Sequence, residues 1–147
     1  MSIQEFKILL IEDNSADALL TKESFQEGCP LLKEMVVISS GQEALSYLRK
    51  EGQYVQVRRP DLILLDLNLP RLNGRQILAE IKKESCLRSI PVLILTVSDS
   101  PDDIQAAYDL QASAYIQKPE NYEQCLEIAR AVNAFWFKTV CLIKDEN

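Results

Sequence analysis

Five short apolar runs punctuate the chain, at Ile8 to Ile11, Met35 to Ile38, Leu62 to Leu65, Val92 to Leu95 and Ala114 to Ile116. Each is continuous rather than alternating, which is the pattern of a strand buried on both faces. Sheets covered in that way are parallel sheets flanked by crossover helices. The runs begin 22 to 30 residues apart, close to the length of a βα unit. The pattern therefore predicts an α/β domain of the doubly wound (βα)5 kind, a five-stranded parallel sheet with helices on both faces.

The intervals between the runs carry helix signals. Asn14 or Ser15 can cap a segment bearing Ala16, Leu19, Leu20 and Phe25, with Gly28 as its stop. Ser100, Pro101, Asp102 and Asp103 read as a capped start with proline at the first helical position. Gly41 precedes Ala44, Leu45 and Leu48, and Gly74 precedes Ile77, Leu78 and Ile81; each trio fits one buried helix face. A last segment from Asn121 places Cys125, Ile128, Ala129 and Val132 on one stripe and runs on into Phe135, Trp136 and Phe137. Residues Glu51 to Pro60, with Arg58 and Arg59, read as a polar surface loop. No second module is visible, so one domain over residues 1–147 is expected.

Composition narrows what such a domain does. Sixteen Lys and Arg against 22 Asp and Glu leave a net charge of −6, the wrong sign for a nucleic-acid or anionic-membrane partner. The chain has no histidine. That removes Ser-His-Asp and Cys-His nucleophile systems and His-ligated zinc. Cys29, Cys86, Cys125 and Cys141 show no C-x-x-C spacing and are expected as reduced thiols. With no signal-like or membrane-length apolar segment, a cytoplasmic location is expected.

In a doubly wound sheet, sites form beyond the carboxyl ends of the strands. Those ends carry Glu12, Asp13 and Asn14 after the first run, Asp66 and Asn68 at the third, Thr96 and Ser98 at the fourth and Lys118 after the fifth. Three carboxylates at one edge repel by about 4 kcal/mol per pair at ~4 Å and an effective dielectric of ~20, so the cluster needs a cation or a proton. Oxygen donors without His or Cys favour Mg²⁺. Beside such an ion Asp66 can act as a carboxylate nucleophile, with Lys118 and the Thr96 hydroxyl neutralising and hydrogen-bonding a phosphoryl group. Each piece has a plainer reading: an acidic pair before a helix complements its dipole, and an aspartate at a strand end starts a turn. The argument for chemistry is that four separate loops each deliver the residue type metal-assisted phosphoryl transfer requires.

The stretches I-L-L-I-E-D-N (8 to 14), D-L-I-L-L-D-L-N-L-P (61 to 70) followed by Gly74, P-V-L-I-L-T (91 to 96) and A-Y-I-Q-K-P (114 to 119) resemble the receiver domain of two-component response regulators. The resemblance runs from Lys7 to about Thr139. It implies the flavodoxin-like strand order 2-1-3-4-5, with Asp66 as phosphoacceptor. Glu12, Asp13, Asp66 and the Asn68 carbonyl would hold Mg²⁺, Thr96 would be the switch hydroxyl, Lys118 the phosphoryl contact and Tyr115 the switch aromatic. Such a protein is not an enzyme in the ordinary sense, since it catalyses only its own phosphorylation and dephosphorylation. L-L-I-E-D-N-S-A-D, D-L-N-L-P, Tyr108-Asp109-Leu110 and the tail A-F-W-F-K-T-V are similar to small stand-alone regulators that partner bacterial phytochromes, so the implied donor is a histidine kinase of that kind.

Two positions depart from the family pattern. Asn73 stands where Asp is common, and Val97 follows Thr96 where a smaller residue is usual, narrowing the path to an acyl phosphate. Three successive aromatics, Phe135, Trp136 and Phe137, span about 200° of a helix. One face cannot bury all three, so the expectation is a homodimer or partner contact there, against the plainer reading of a helix end folded back on its own domain. With no output domain visible, signalling to an unknown downstream protein would go through protein contacts. The alternatives are a degenerate receiver that dimerises without phosphorylation, a phosphohydrolase, and a flavin or nucleotide carrier. A hydrolase needs a second acid where Asn68 stands. A carrier needs a phosphate loop where Glu12 and Asp13 stand.

Overall fold

A computed structural model describes residues 5–145, so residues 1–4 and 146–147 of the expected 1–147 domain lie outside the described residues. Five strands alternate with five helices: β1 (Phe6–Ile11), α1 (Ser15–Gly28), β2 (Leu32–Ile38), α2 (Gly41–Leu48), β3 (Leu62–Leu65), α3 (Gly74–Lys83), β4 (Val92–Thr96), α4 (Pro101–Asp109), β5 (Ala114–Gln117) and α5 (Tyr122–Val132). All neighbouring strands pair in parallel, in the order β2-β1-β3-β4-β5. This is the doubly wound flavodoxin-like arrangement expected.

The continuous apolar runs are explained by what lies on each face. Leu9, Ile11, Ile63, Leu65, Val92 and Ile94 pack into one core with residues of α2 and α3. Their neighbours Ile8, Leu10, Leu62, Leu64 and Leu93 pack into the other, under α1 and the last helical segment. Successive strand side chains point to opposite faces, so a strand with two covered faces has no polar positions to spare. The expectation fails at the edges. β2 exposes Lys33, Glu34 and Val37, and β5 has no fully buried residue, because an edge strand lacks a neighbour on one side.

Helix α1 uses a different face from the one its leucines suggest. Ala18, Thr21, Ser24, Phe25 and Gly28 are buried, whereas Ala16 is exposed and Leu19 is 58% exposed. The two hydroxyls are satisfied by donating to helix carbonyls, Thr21 to Asp17 and Ser24 to Thr21. At Gly28 a Cβ would lie 2.9 Å from Leu126 and 3.0 Å from Ala129, so glycine sets how closely α1 and α5 approach.

Beyond α5 the chain makes a π-helical stretch, Asn133–Thr139, in which the Val140 N–H donates to the Phe135 carbonyl. This phase places the three aromatics in three environments. Phe137 is buried and stacks on Phe6 with ring centroids 4.3 Å apart, Trp136 is half-buried, and Phe135 is 55% exposed with its ring edge-on to Trp136. Phe137 is thus removed from the expected contact set, because it completes the chain's own core.

The loop from Glu51 to Pro60 is less free than its polarity suggests. It holds a short 3-10 turn (Gly52–Tyr54), Tyr54 packs edge-on against Tyr47, and the Arg59 Nε donates to the Leu48 carbonyl at 2.7 Å. Among the described residues no helix is long and apolar enough to cross a membrane.

Candidate functional site

The candidate metal and phosphoryl-contact residues lie at the carboxyl edge of the sheet because a strand or its ladder ends there. The Glu12 N–H donates to the Ile38 carbonyl and the Asp66 N–H to the Ile11 carbonyl, each at 3.1 Å. These bonds carry the parallel ladder one residue past β1 and β3 and fix both carboxyl-bearing residues on rigid backbone. Thr96 is the last residue of β4 and is fully buried. Lys118 follows β5, with its N–H donating to the Thr96 carbonyl at 2.7 Å.

Gly74 tightens the loop after β3. Its N–H donates to the Leu67 carbonyl at 3.0 Å, and a Cβ there would lie 2.5 Å from both the Asp66 carbonyl oxygen and the Leu67 Cα. Backbone cannot yield to such a contact, so only glycine lets α3 start this close to Asp66. Asn73 is the N-cap of α3, and its side chain and that of Gln76 bond reciprocally to each other's backbone N–H. The departure at this position therefore serves as a capping box.

Carboxylate oxygens of Glu12, Asp13 and Asp66 converge within 4.8 Å of one another. Glu12 and Asp66 are buried and Asp13 is exposed. The Lys118 ammonium sits among them, 2.7 Å from Glu12 Oε1, 2.9 Å from Asp66 Oδ2 and 2.8 Å from Asp17 Oδ2. The second oxygens of Glu12 and Asp66 take backbone donors, Asn14 N–H to Glu12 Oε2 and Asn68 N–H to Asp66 Oδ1. Asp17, in the first turn of α1, is a site carboxylate that motif reading did not single out. Its signal was its place one helical turn beyond the acidic pair, on the same rim.

The electrostatics divide the two buried acids. Burial pushes Glu12 up to about 7; the bond from Lys118 pulls it down, but the adjoining Asp66 carboxylate adds to the upward shift. Burial acts upward on Asp66 too, yet the Lys118 ammonium and the Asn68 N–H outweigh it and hold Asp66 below the usual carboxylate range. Lys118 is desolvated, which favours loss of its proton, but bonds to Asp17, Glu12 and Asp66 keep it protonated well above the ordinary lysine range. The two buried acids are thus shifted in opposite directions, Asp66 toward its ionised form and Glu12 toward its protonated one.

Among the described residues no hydrogen bond joins Thr96 to Asp66. Its Oγ1 accepts from Asn68 Nδ2 at 3.3 Å, so the hydroxyl and the acid are linked through one residue. Tyr115 is half-buried; its hydroxyl donates to the Ser98 carbonyl at 2.9 Å and its N–H donates to the Tyr108 hydroxyl oxygen. An open cavity of about 690 Å³ spans the cluster, with Val97, 62% exposed, on its wall. Three hard oxygen donors of this spacing suit a divalent cation with retained water ligands. Phe135 and Trp136 lie elsewhere, beyond α5.

Comparison with known proteins identifies the family. The profile of the response regulator receiver domain matches residues 8–130. Response regulator Rcp1 of Synechocystis sp. is 39% identical over 135 residues, covering 92% of this chain and 91% of the relative. The probable methanogenesis regulatory protein FilR2 of Methanothrix harundinacea is 37% identical over 89% of this chain and 83% of its own. Among solved structures, the phosphorylated cyanobacterial phytochrome response regulator RcpA superposes with a TM-score of 0.88 at 45% identity, covering 94% and 98% of the two chains. The Mn²⁺-bound form of Rcp1 superposes with a TM-score of 0.84 at 37% identity, covering 94% and 99%. With these likenesses added to the acids and lysine gathered at its strand ends, the chain belongs to the response regulator receiver domain family and is a homologue of the phytochrome response regulators.

Proposed function

We propose that this response regulator accepts a phosphoryl group on Asp66 from a histidine kinase of the phytochrome kind, with Mg²⁺ held by Glu12, Asp13, Asp66 and the Asn68 backbone carbonyl. The observation that carries the reading is the Lys118 ammonium bridging Glu12, Asp17 and Asp66 at one rim. The donor imidazole belongs to the partner, since this chain has no histidine. An Asp66 carboxylate oxygen forms the new P–O bond while the P–N bond to the imidazole breaks; the imidazole keeps that electron pair and takes up a proton. The bound cation supplies neutralisation of charge on the phosphoryl oxygens. Lys118 contributes a second positive charge to them. Thr96 gives its hydroxyl to a phosphoryl oxygen by leaving the Asn68 amide.

The output follows from the bonds that this movement disturbs. Tyr115 is tied to the Ser98 carbonyl, two residues past Thr96, so a shift of Thr96 changes what the tyrosine hydroxyl can reach. The acyl phosphate biases that equilibrium and with it the surface around α4, β5 and α5. This surface, with exposed Phe135 and the outer edge of Trp136, serves a homodimer and a downstream protein in the cytoplasm.

Intact mass and oligomer size after incubation with Mg²⁺ and a small acyl phosphate test the proposal. One added phosphoryl group that requires both Mg²⁺ and Asp66, and is absent in Asp66→Asn, is the expected result, with a change in size. No modification from acyl phosphate or from a phosphorylated kinase would overturn it in favour of a dimerising module that works without phosphorylation.

A further inference from the structure

The charges at the carboxyl edge do not divide evenly. Lys118 occupies the cluster as a resident cation, holding Glu12 and Asp66, two of the three acids whose oxygens converge closely enough for a metal. An entering divalent ion must take those oxygens from the ammonium. Its third acid, Asp13, is free of Lys118 in the structure's ion pairs, and Lys118's third partner, Asp17, is outside the converging group. The cluster thus contains one carboxylate for the metal alone, one for the lysine alone, and two that both cations can use.

We propose that Asp17 is a positioning residue for Lys118: it retains the ammonium on the α1 side of the cluster, so that a divalent cation can occupy Glu12, Asp13 and Asp66 without expelling the lysine from the site. The deepened reading rests on the phosphoacceptor function above. Asp17 is built for such a hold. It lies in the first turn of α1, its N–H donates to the capping Asn14 side chain at 2.9 Å, and its carbonyl accepts from the buried Thr21 hydroxyl at 2.9 Å. Its backbone is therefore pinned while its carboxylate reaches across to the residue after β5. Without Asp17, the full hold on Lys118 falls to Glu12 and Asp66, and the lysine competes directly with the metal. An acidic residue in a first helical turn also complements the helix dipole, but that role does not depend on Lys118.

A double-mutant cycle separates the two roles. Mn²⁺ binding to the full chain, read by water-proton relaxation, is measured for wild type, Asp17→Asn, Lys118→Met and the double variant. Asp17→Asn is expected to weaken Mn²⁺ about tenfold in the wild-type background and less than twofold in the Lys118→Met background. Asp17→Glu, which keeps the charge, is expected to restore most of the affinity. An unchanged affinity in Asp17→Asn overturns the proposal, and so does a loss of equal size in both backgrounds, which would make Asp17 a direct contributor to the metal's field. Wild-type protein that neither binds Mn²⁺ nor takes up phosphate would instead overturn the phosphoacceptor reading itself.

Discussion

The two ends of the sheet both bury charge, and they do it in opposite ways. At the amino end Asp61, buried just before β3, accepts from the Lys7 N–H at 2.9 Å and pairs with Arg58 at 3.3 Å and Lys144 at 3.2 Å. Lys7 extends the network to the Arg58 carbonyl and Glu34, and Asp145 joins Lys50 to the Arg59 N–H. There each acid is matched by at least one base, Asp61 by Arg58 and Lys144, Glu34 by Lys7 and Asp145 by Lys50. At the carboxyl end Glu12, Asp13, Asp17 and Asp66 face one ammonium, that of Lys118. A matched network adds stability by being complete; a network with surplus negative charge is poised to take up a cation. Burial of charge alone does not distinguish the two ends, and the imbalance does.

Three variants put that contrast under strain. The largest effect is expected from Asp61→Ala, which leaves two cations without their shared acid and should lower unfolding free energy by about 3 kcal/mol. Denaturant titration measures the loss, while phosphoryl uptake on the folded fraction should match wild type. If uptake falls with stability, the two ends are not independent.

An opposite sign is expected at the other end. Folded, metal-free protein keeps the Glu12 proton up to about pH 7, whereas the unfolded chain gives it up near the ordinary glutamate value of 4.5. The folded state binds more protons between these values, so this group's contribution to stability is full below about 4.5 and is lost as pH rises through about 7. Glu12→Gln removes that loss and should make metal-free protein more stable than wild type by about 2 kcal/mol at pH 8, with the difference vanishing near pH 4. Melting curves across pH test the sign; a destabilised variant at pH 8 would refute the surplus-charge picture.

The smallest effect is expected from Lys144→Met, about 1 kcal/mol, because Arg58 and the Lys7 N–H remain on Asp61. A cost as large as that of Asp61→Ala would mean that the network's members act as a single unit.

Periodicity made the sheet legible, since a strand with two covered faces leaves an unbroken apolar run and the carboxyl ends then follow by counting. Glu12, Asp13, Asp66, Thr96 and Lys118 were readable for that reason. Leu19 misled because α1 turns inward a face that includes Thr21 and Ser24, whose hydroxyls bond within the helix and so can be buried without loss. Asp17 went unnoticed because its first-turn position has an ordinary structural explanation. The Asp61 network joins residues from β1, from the loop before β3 and from the end of the chain, and no local pattern links them. The aromatic run could be read as too wide for one face, but which ring turns inward depends on the π-helical phase after Val132.

The contact between Phe6 and Phe137 also has a meaning in the order of folding. Phe6 opens the interior strand β1, yet its ring is covered by Phe137 and by the Lys144 ammonium, 3.9 Å from the ring centroid, while Lys144 also donates to the Glu5 carbonyl across 139 residues of sequence. Loop closure over that length is entropically costly until the intervening βα units have compacted the chain. The earliest of the five described strands in chain order is therefore among the last to be fully shielded from water.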